Sequence, residues 1–85
     1  MTKLEVMKIN QKNYTAMEKR IEGMGNGIEK LVAVNITLKW IKGTKWMGGI
    51  SDSVATKAYE KLMGMGYSFD EIDAEFQRQQ KWYEM

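Results

Sequence analysis

The chain is 85 residues long, contains no cysteine and no histidine, and has a formal net charge of +2 with 28% charged and 44% hydrophobic residues. This size and composition predict one small globular domain over residues 1–85, and a chain without Cys and His lacks the usual zinc ligands and the usual acid–base group at neutral pH. We therefore expect no metal, no cofactor and no enzymatic activity, and, since neither a signal peptide nor a membrane-spanning run is present, a cytoplasmic protein.

The first third of the chain predicts a strand followed by a helix. Residues 3–9 are interpreted as a first strand, and the poor helix formers of residues 10–13 interrupt it, although Thr2 begins a run with the spacing of a capping box. From Tyr14 onward the apolar residues recur with a helical period, which predicts a helix over residues 13–22.

The glycine-rich stretch 23–27 resembles a phosphate-binding loop only in composition. Phosphate-binding loops follow a strand and open a helix, and they include a Lys-Ser/Thr pair or a distal acid. Here a predicted helix precedes the glycines and a predicted strand follows them. We interpret the stretch as a helix C-cap and a turn.

Residues 30–41 form the most apolar and most β-branched run of the chain. Read with a period of two, one face of this run carries Val32, Val34, Ile36, Leu38 and Trp40. The other face carries Ala33, Asn35, Thr37 and Lys39. This alternation predicts the central strand of a small sheet.

A helix is the alternative for the same run. Asn26 and Glu29 have N-cap spacing, Gly43 stands where a helix C-cap would, and the polar residues Asn35, Lys39 and Lys42 would share one face. We favour the strand, since a helix would be apolar over most of its remaining circumference and β-branched residues lose side-chain freedom in a helix.

The residues after the central strand predict a turn at 42–44 and a short edge strand over 45–50. The resulting hairpin interleaves cations with indole rings. A surface of this kind can bind nucleic acid, with lysines on phosphates and an exposed indole on a base. The candidate nucleic-acid-binding residues are Lys39, Lys42, Lys45 and Trp46.

The last third of the chain predicts a helical hairpin. Ser51 has the position of an N-cap before one helix, and Ser68 with Glu71 forms a capping box before a second that runs to near Met85. We therefore predict an α+β fold, with strand, helix, strand and short edge strand in order and the hairpin packed on the sheet. An all-α fold of four helices is the alternative.

The connection inside this hairpin resembles a known family. Leu62 to Ser68, with the sequence LMGMGYS, followed by Asp70-Glu71-Ile72, is similar to the first two helices and the Met-Gly-Tyr/Phe loop of ubiquitin-associated domains. The resemblance implies two helices joined by this loop. It covers about 20 of the 85 residues and stops before the third helix of those domains, and we do not carry ubiquitin binding over from it.

The apolar and aromatic surplus predicts a surface for another protein, because exposed aromatic and methionine side chains are typical of binding surfaces. The candidate protein-binding residues are Trp46, Met63, Met65, Tyr67, Trp82 and Tyr83. We expect a small binding protein that modulates or inhibits a partner, of the kind that phages and mobile elements encode, with a homodimer through the C-terminal helices as a further expectation.

The charge distribution bears on the alternative function, a nucleic-acid-binding regulator. Residues 1–50 hold nine Lys and Arg against four Glu, or +5, and residues 51–85 hold four against seven acidic residues, or −3. The basic part would attract nucleic acid and the acidic part would repel it. A protein partner is therefore the preferred interpretation, and no membrane partner is expected.

Overall fold

The structure is a computed structural model that describes residues 2–44 and 49–84. Of this described part 82% is helical and none is in a strand, so the predicted α+β fold is wrong and the all-α alternative fits. The elements in chain order are α1 (Lys3–Glu22), α2 (Ile28–Val32), a π-helical segment (Ala33–Thr37), α3 (Leu38–Thr44), α4 (Asp52–Gly64), α5 (Phe69–Gln80) and a 3-10 turn (Lys81–Tyr83).

The predicted first strand and the short helix after it are one helix, α1. Its N-cap is Thr2, whose Oγ1 accepts a hydrogen bond from the Glu5 backbone N–H at 3.2 Å. The helix continues through Asn10, which is buried and donates its side-chain amide to the Lys42 carbonyl at 2.8 Å. Asn10 disfavours a helix in isolation, but here its amide joins α1 to α3.

The predicted central strand is also wrong, because residues 28–44 are helical throughout. The backbone angles at Val32, Ala33 and Leu38 are those of a right-handed helix, so α2, the π-helical segment and α3 follow one another without a break. We call residues 28–44 the central helix. Val34, on the face of the predicted strand that carries Val32 and Ile36, is 45% exposed, whereas Thr37, on the opposite face, is fully buried.

The central helix is apolar around most of its circumference because other helices bury it on more than one side. The first core cluster consists of Val32, Ile36, Ala58, Leu62 and Ile72. The second core cluster consists of Met17, Ala33, Ile41 and Tyr83. The central helix supplies residues to both clusters, α4 and α5 complete the first, and α1 and the 3-10 turn complete the second. The wide apolar surface, which was our reason to predict a strand and not a helix, is what a buried helix requires.

The wider turn of the π-helical segment is accompanied by side-chain amides that bond to the backbone. Asn35 donates its amide to the Leu31 carbonyl at 2.8 Å. The buried Gln79 of α5 donates its amide to the Glu29 carbonyl at 2.9 Å and accepts the Thr37 hydroxyl. The two bonds of Gln79 join α5 to the central helix and pair the buried amide of this side chain.

The predicted edge strand over 45–50 falls partly outside the described residues, which omit 45–48. The described remainder, Gly49 and Ile50, is not extended in a strand. Gly43 lies inside α3, and its carbonyl accepts the Gly49 N–H at 2.8 Å. A Cβ at Gly43 would lie 2.7 Å from the Gly49 carbonyl oxygen. Glycine is therefore needed at this position for a close backbone approach and not for a C-cap.

The predicted helical hairpin is confirmed. Ser51 caps α4 by accepting the Val54 N–H, and Ser68 caps α5 by accepting the Glu71 N–H at 3.2 Å. The connection turns through Gly66, whose φ of +103° favours glycine. The hairpin packs on the central helix, and the sheet on which it was predicted to pack is absent from the described part of the chain.

Candidate functional site

Large apolar side chains are exposed close together where α4 and α5 meet. Met63 is 47% exposed, Met65 51% and Phe69 52%. Two further exposed apolar residues, Leu4 and Val34, belong to α1 and to the π-helical segment. Scattered apolar residues are normal on a protein surface, whereas a cluster marks a candidate binding surface.

Two of these side chains, Met63 and Phe69, line an open groove of about 400 Å³. The groove is lined by Asp52, Ala55, Thr56, Tyr59, Glu60, Met63 and Phe69. Positions 52, 56, 59 and 63 follow the helical spacing i, i+4, i+7 and i+11, so one face of α4 forms the floor. Phe69, at the start of α5, stacks on Tyr59 with ring centroids 5.1 Å apart and planes inclined by 29°. We call Tyr59, Met63 and Phe69 the hairpin patch.

The Tyr59 ring is held in place by a hydrogen bond between the two helices of the hairpin. Its hydroxyl donates to Asp73 Oδ1 at 3.1 Å. Burial raises the pKa of Tyr59 to about 12, and the bond to Asp73 and the charge of that carboxylate act in the same direction. The phenol is therefore neutral at physiological pH, and it presents a fixed aromatic face beside Phe69.

The charged side chains along this groove are all acidic. Asp52 and Glu60 line it, no Lys or Arg does so among the described residues, and Asp73 lies behind Tyr59. Within the described ranges both ion pairs involve Arg78, which bonds Glu75 at 2.7 Å and lies 3.7 Å from Glu29. Neither groove carboxylate therefore has an ion-pair partner in the described part of the chain.

The three residues predicted at the loop of the hairpin differ in exposure. Met63 and Met65 are exposed, whereas Tyr67 is partly buried and packs against the first core cluster. Met65 does not line the groove. The loop thus presents its methionines to solvent and turns its tyrosine inward.

Trp82 and Tyr83 make contacts within the chain. The guanidinium carbons of Arg20 and Arg78 lie 4.6 Å and 4.7 Å from the centroid of the Trp82 ring. Tyr83 is buried in the second core cluster, and its hydroxyl donates to Met17 Sδ at 3.5 Å. These two aromatic residues tie the end of the chain to α1, so we place the candidate surface at the hairpin patch.

The predicted nucleic-acid surface is partly described. Lys39 and Lys42 are exposed on α3, while Lys45 and Trp46, the latter also predicted for protein binding, lie outside the described residues. Trp40 packs edge-on against Phe76, with ring centroids 6.1 Å apart. That ring is therefore engaged in the protein interior.

Besides Lys42, the structure shows exposed lysines on α1 that line a groove next to the pocket of Lys42. Gln11 lines one pocket with Lys42 and a second, more open groove with the exposed lysines of α1. Those residues are Lys8, Lys12 and Lys19. Sequence reasoning missed this basic surface because Lys8, Lys12 and Lys19 share a face only if residues 3–22 form one helix.

Sequence reasoning also missed the exposure of Phe69. The helical period places Phe69 on the same face as Ile72 and Phe76, which predicts a buried residue. Phe69 begins the helix and rests on Tyr59 instead. The available signal was its position directly after the capping residue Ser68, where the side chain lies at the end of the helix and not along its middle.

Residues 2–44 and 49–84 contain no group of three or more side chains that could hold a metal ion. No helix in these ranges combines the length and the apolar character that crossing a membrane requires. Comparison with protein-family models, with curated proteins and with solved structures finds no match for the chain.

Proposed function

We propose that this chain is a small non-enzymatic binding protein that modulates or inhibits a partner protein, and that the hairpin patch is its contact surface. The observation that carries the proposal is the exposure of Met63 and Phe69, each about half accessible, beside the stacked Tyr59 ring. Aromatic residues and methionine are enriched in protein interfaces, and one or two buried anchors dominate the binding energy of most interfaces.

The patch is large enough to matter energetically. Full burial of one Phe or Met side chain contributes about 1.5–3 kcal/mol, so covering the exposed halves of Met63 and Phe69 would contribute a similar amount in total. The rigid Tyr59–Phe69 stack supplies a surface that loses little entropy on binding, and the flexible Met63 side chain adapts to its shape. The action we propose is occlusion of a partner's surface, as by small modulators encoded by phages and mobile elements.

The test is affinity capture of the partner from an extract of the cells in which the chain is produced. It compares the wild type with two matched variants. Phe69→Ser removes the exposed ring of the hairpin patch, and Val34→Ser removes an exposed apolar side chain elsewhere. We expect the wild type and Val34→Ser to retain the same protein and Phe69→Ser to lose it by at least about tenfold, or 1.4 kcal/mol.

Circular dichroism and urea unfolding first establish that both variants are folded. Equal retention by Phe69→Ser and Val34→Ser would contradict the hairpin patch as the contact surface. Capture of nucleic acid in place of a protein would contradict the proposed class of partner.

A nucleic-acid-binding regulator is the second candidate function. It is favoured by the lysines of α1 and α3, which line two adjoining pockets. Lys42 and the α1 lysines share a surface, while most acidic residues of the C-terminal third belong to α5, which packs with the first core cluster. In a binding assay with random duplex DNA, this candidate requires an affinity that falls steeply with salt and that Lys8→Ala/Lys12→Ala weakens.

A further inference from the structure

We propose, as a deepening of the proposed function, that the groove along α4 binds a basic amphipathic helix of the partner, whose apolar residues cover Met63 and Phe69 and whose Lys or Arg side chains face Asp52 and Glu60. The inference rests on the protein-binding function proposed above. It adds the secondary structure and the charge of the ligand.

The shape of the groove favours a helix as the ligand. From Asp52 to Met63 the floor follows twelve residues of α4, a rise of about 16 Å at 1.5 Å per residue, which corresponds to three turns of a second helix. Recognition by strand addition needs a free sheet edge, and the described part of this protein has no strand. A helix in a groove uses apolar anchors at intervals of three and four residues, and Met63 and Phe69 can receive them.

The charges of the groove favour a basic ligand. Asp52 and Glu60 line it, no Lys or Arg of the described residues does so, and the two acids are eight residues apart on α4 and hence about 12 Å apart along its axis. Cationic side chains on the outer face of a docked helix would complement both carboxylates, which contributes to specificity and to the association rate more than to affinity. Phosphate groups of nucleic acid or of an anionic membrane would be repelled at the same positions.

The whole-protein charge does not produce this preference. The chain carries +2 overall, so long-range attraction alone would favour an acidic peptide. A preference for a basic peptide would therefore report a local acidic surface. This opposition between local and overall charge makes peptide charge a sharp test.

The experiment uses two synthetic amphipathic peptides of about 18 residues, long enough to cover the groove, with identical leucine faces and either lysine or glutamate on the polar face. Binding to the full chain is followed by NMR of the methionine methyl groups. We expect the lysine peptide to bind at least about tenfold more tightly than the glutamate peptide, to shift the Met63 signal, and to weaken as salt rises from about 0.05 M to about 0.3 M.

Matched charge variants locate the effect. Asp52→Asn/Glu60→Gln neutralises the groove, and Glu18→Gln/Glu22→Gln makes the same charge change on the exposed face of α1. We expect the groove variant to bind the lysine peptide at least about fivefold more weakly than the α1 variant. Equal affinities of these two variants, or of the two peptides, would overturn the inference.

Phe69→Ser separates this inference from the function on which it rests. If Phe69→Ser abolishes binding of both peptides while the charge variants have no effect, the apolar contact surface stands and the basic ligand is wrong. If Phe69→Ser leaves the lysine peptide bound and its shifts fall outside the groove, the hairpin patch is wrong as well. Self-association of the chain that Phe69→Ser abolishes would make a second copy the occupant and would also overturn the inference.

Discussion

The side chain of Gln79 is buried between two helices and uses both ends of its amide. Its oxygen accepts the Thr37 hydroxyl and its nitrogen donates to the Glu29 carbonyl. A buried polar side chain is tolerated only where its groups are paired, and here the pairing also fixes how α5 lies on the central helix.

Gln79→Leu is predicted to lower the free energy of unfolding by about 1–3 kcal/mol, because the buried Thr37 hydroxyl loses its partner and the Glu29 carbonyl, which also accepts the Ala33 N–H, loses its second donor. Urea unfolding followed by circular dichroism measures the change. Adding Thr37→Val removes the hydroxyl that Gln79→Leu leaves without a partner, so the double variant should recover part of the loss. A Gln79→Leu protein as stable as the wild type would contradict the role of this amide.

The hydrogen bond between Thr37 and Gln79 also shows what could not be predicted from the sequence at the scale of single residues. Thr37 and Gln79 lie 42 positions apart, and each looks like an ordinary surface residue in its own segment. Periodicity predicts which face of an element is apolar, but it does not predict which polar side chains meet across a core. The burial of both residues depends on how two helices cross.

At the scale of elements, prediction succeeded where the deciding chemistry is local. The N-caps of the hairpin helices are Ser51 and Ser68, whose side-chain oxygens accept N–H groups three residues onward. This signal is contained in four residues of sequence. The same signal at Thr2 was correct but was outweighed by the polar run 10–13. The run fits a helix because Asn10 bonds to Lys42, a distant residue.

The central helix could not be predicted from its own residues. An almost continuous apolar surface suits a buried strand and a buried helix equally, and the β-branched side chains favour the strand. The helix exists because α1 on one side and the hairpin on another cover it, and the positions of those neighbours are tertiary information. The groove along α4 could not be predicted for the same reason, since it depends on the contact between Phe69 and Tyr59 across the hairpin.

The contact between Trp82 and α1 leads to a prediction about a whole element. Trp82→Ala should increase amide exchange in the last turns of α1, because Arg20 loses the ring on which it rests, and should lower the free energy of unfolding by about 1–3 kcal/mol through lost cation–π and packing contacts. Hydrogen exchange read by mass spectrometry measures it.

Trp82→Phe is the matched control, since it keeps an aromatic face for Arg20 and Arg78. Exchange in this variant should stay close to that of the wild type. If Trp82→Ala leaves exchange across residues 17–22 unchanged, the aromatic contact does not hold the end of α1.

At the scale of the whole molecule, the central helix connects the two core clusters, because it contributes residues to both. Val32 and Ile36 belong to the first cluster and Ala33 and Ile41 to the second, all on one continuous helix. We therefore expect the two clusters to unfold together. An 85-residue chain has a free energy of unfolding of about 4–13 kcal/mol, so a single core change consumes a large share of it.

Leu62→Ala tests this coupling from the hairpin, on the side of the central helix that α1 does not cover. Leu62 is fully buried in the first cluster, and its truncation should cost about 2–5 kcal/mol. If the two clusters unfold together, amides of α1 that exchange by global unfolding should lose protection by the same free energy as amides of α4, although α1 contributes only to the second cluster. Retained protection in α1 with lost protection in α4 would show that α1 and the central helix can persist without the hairpin.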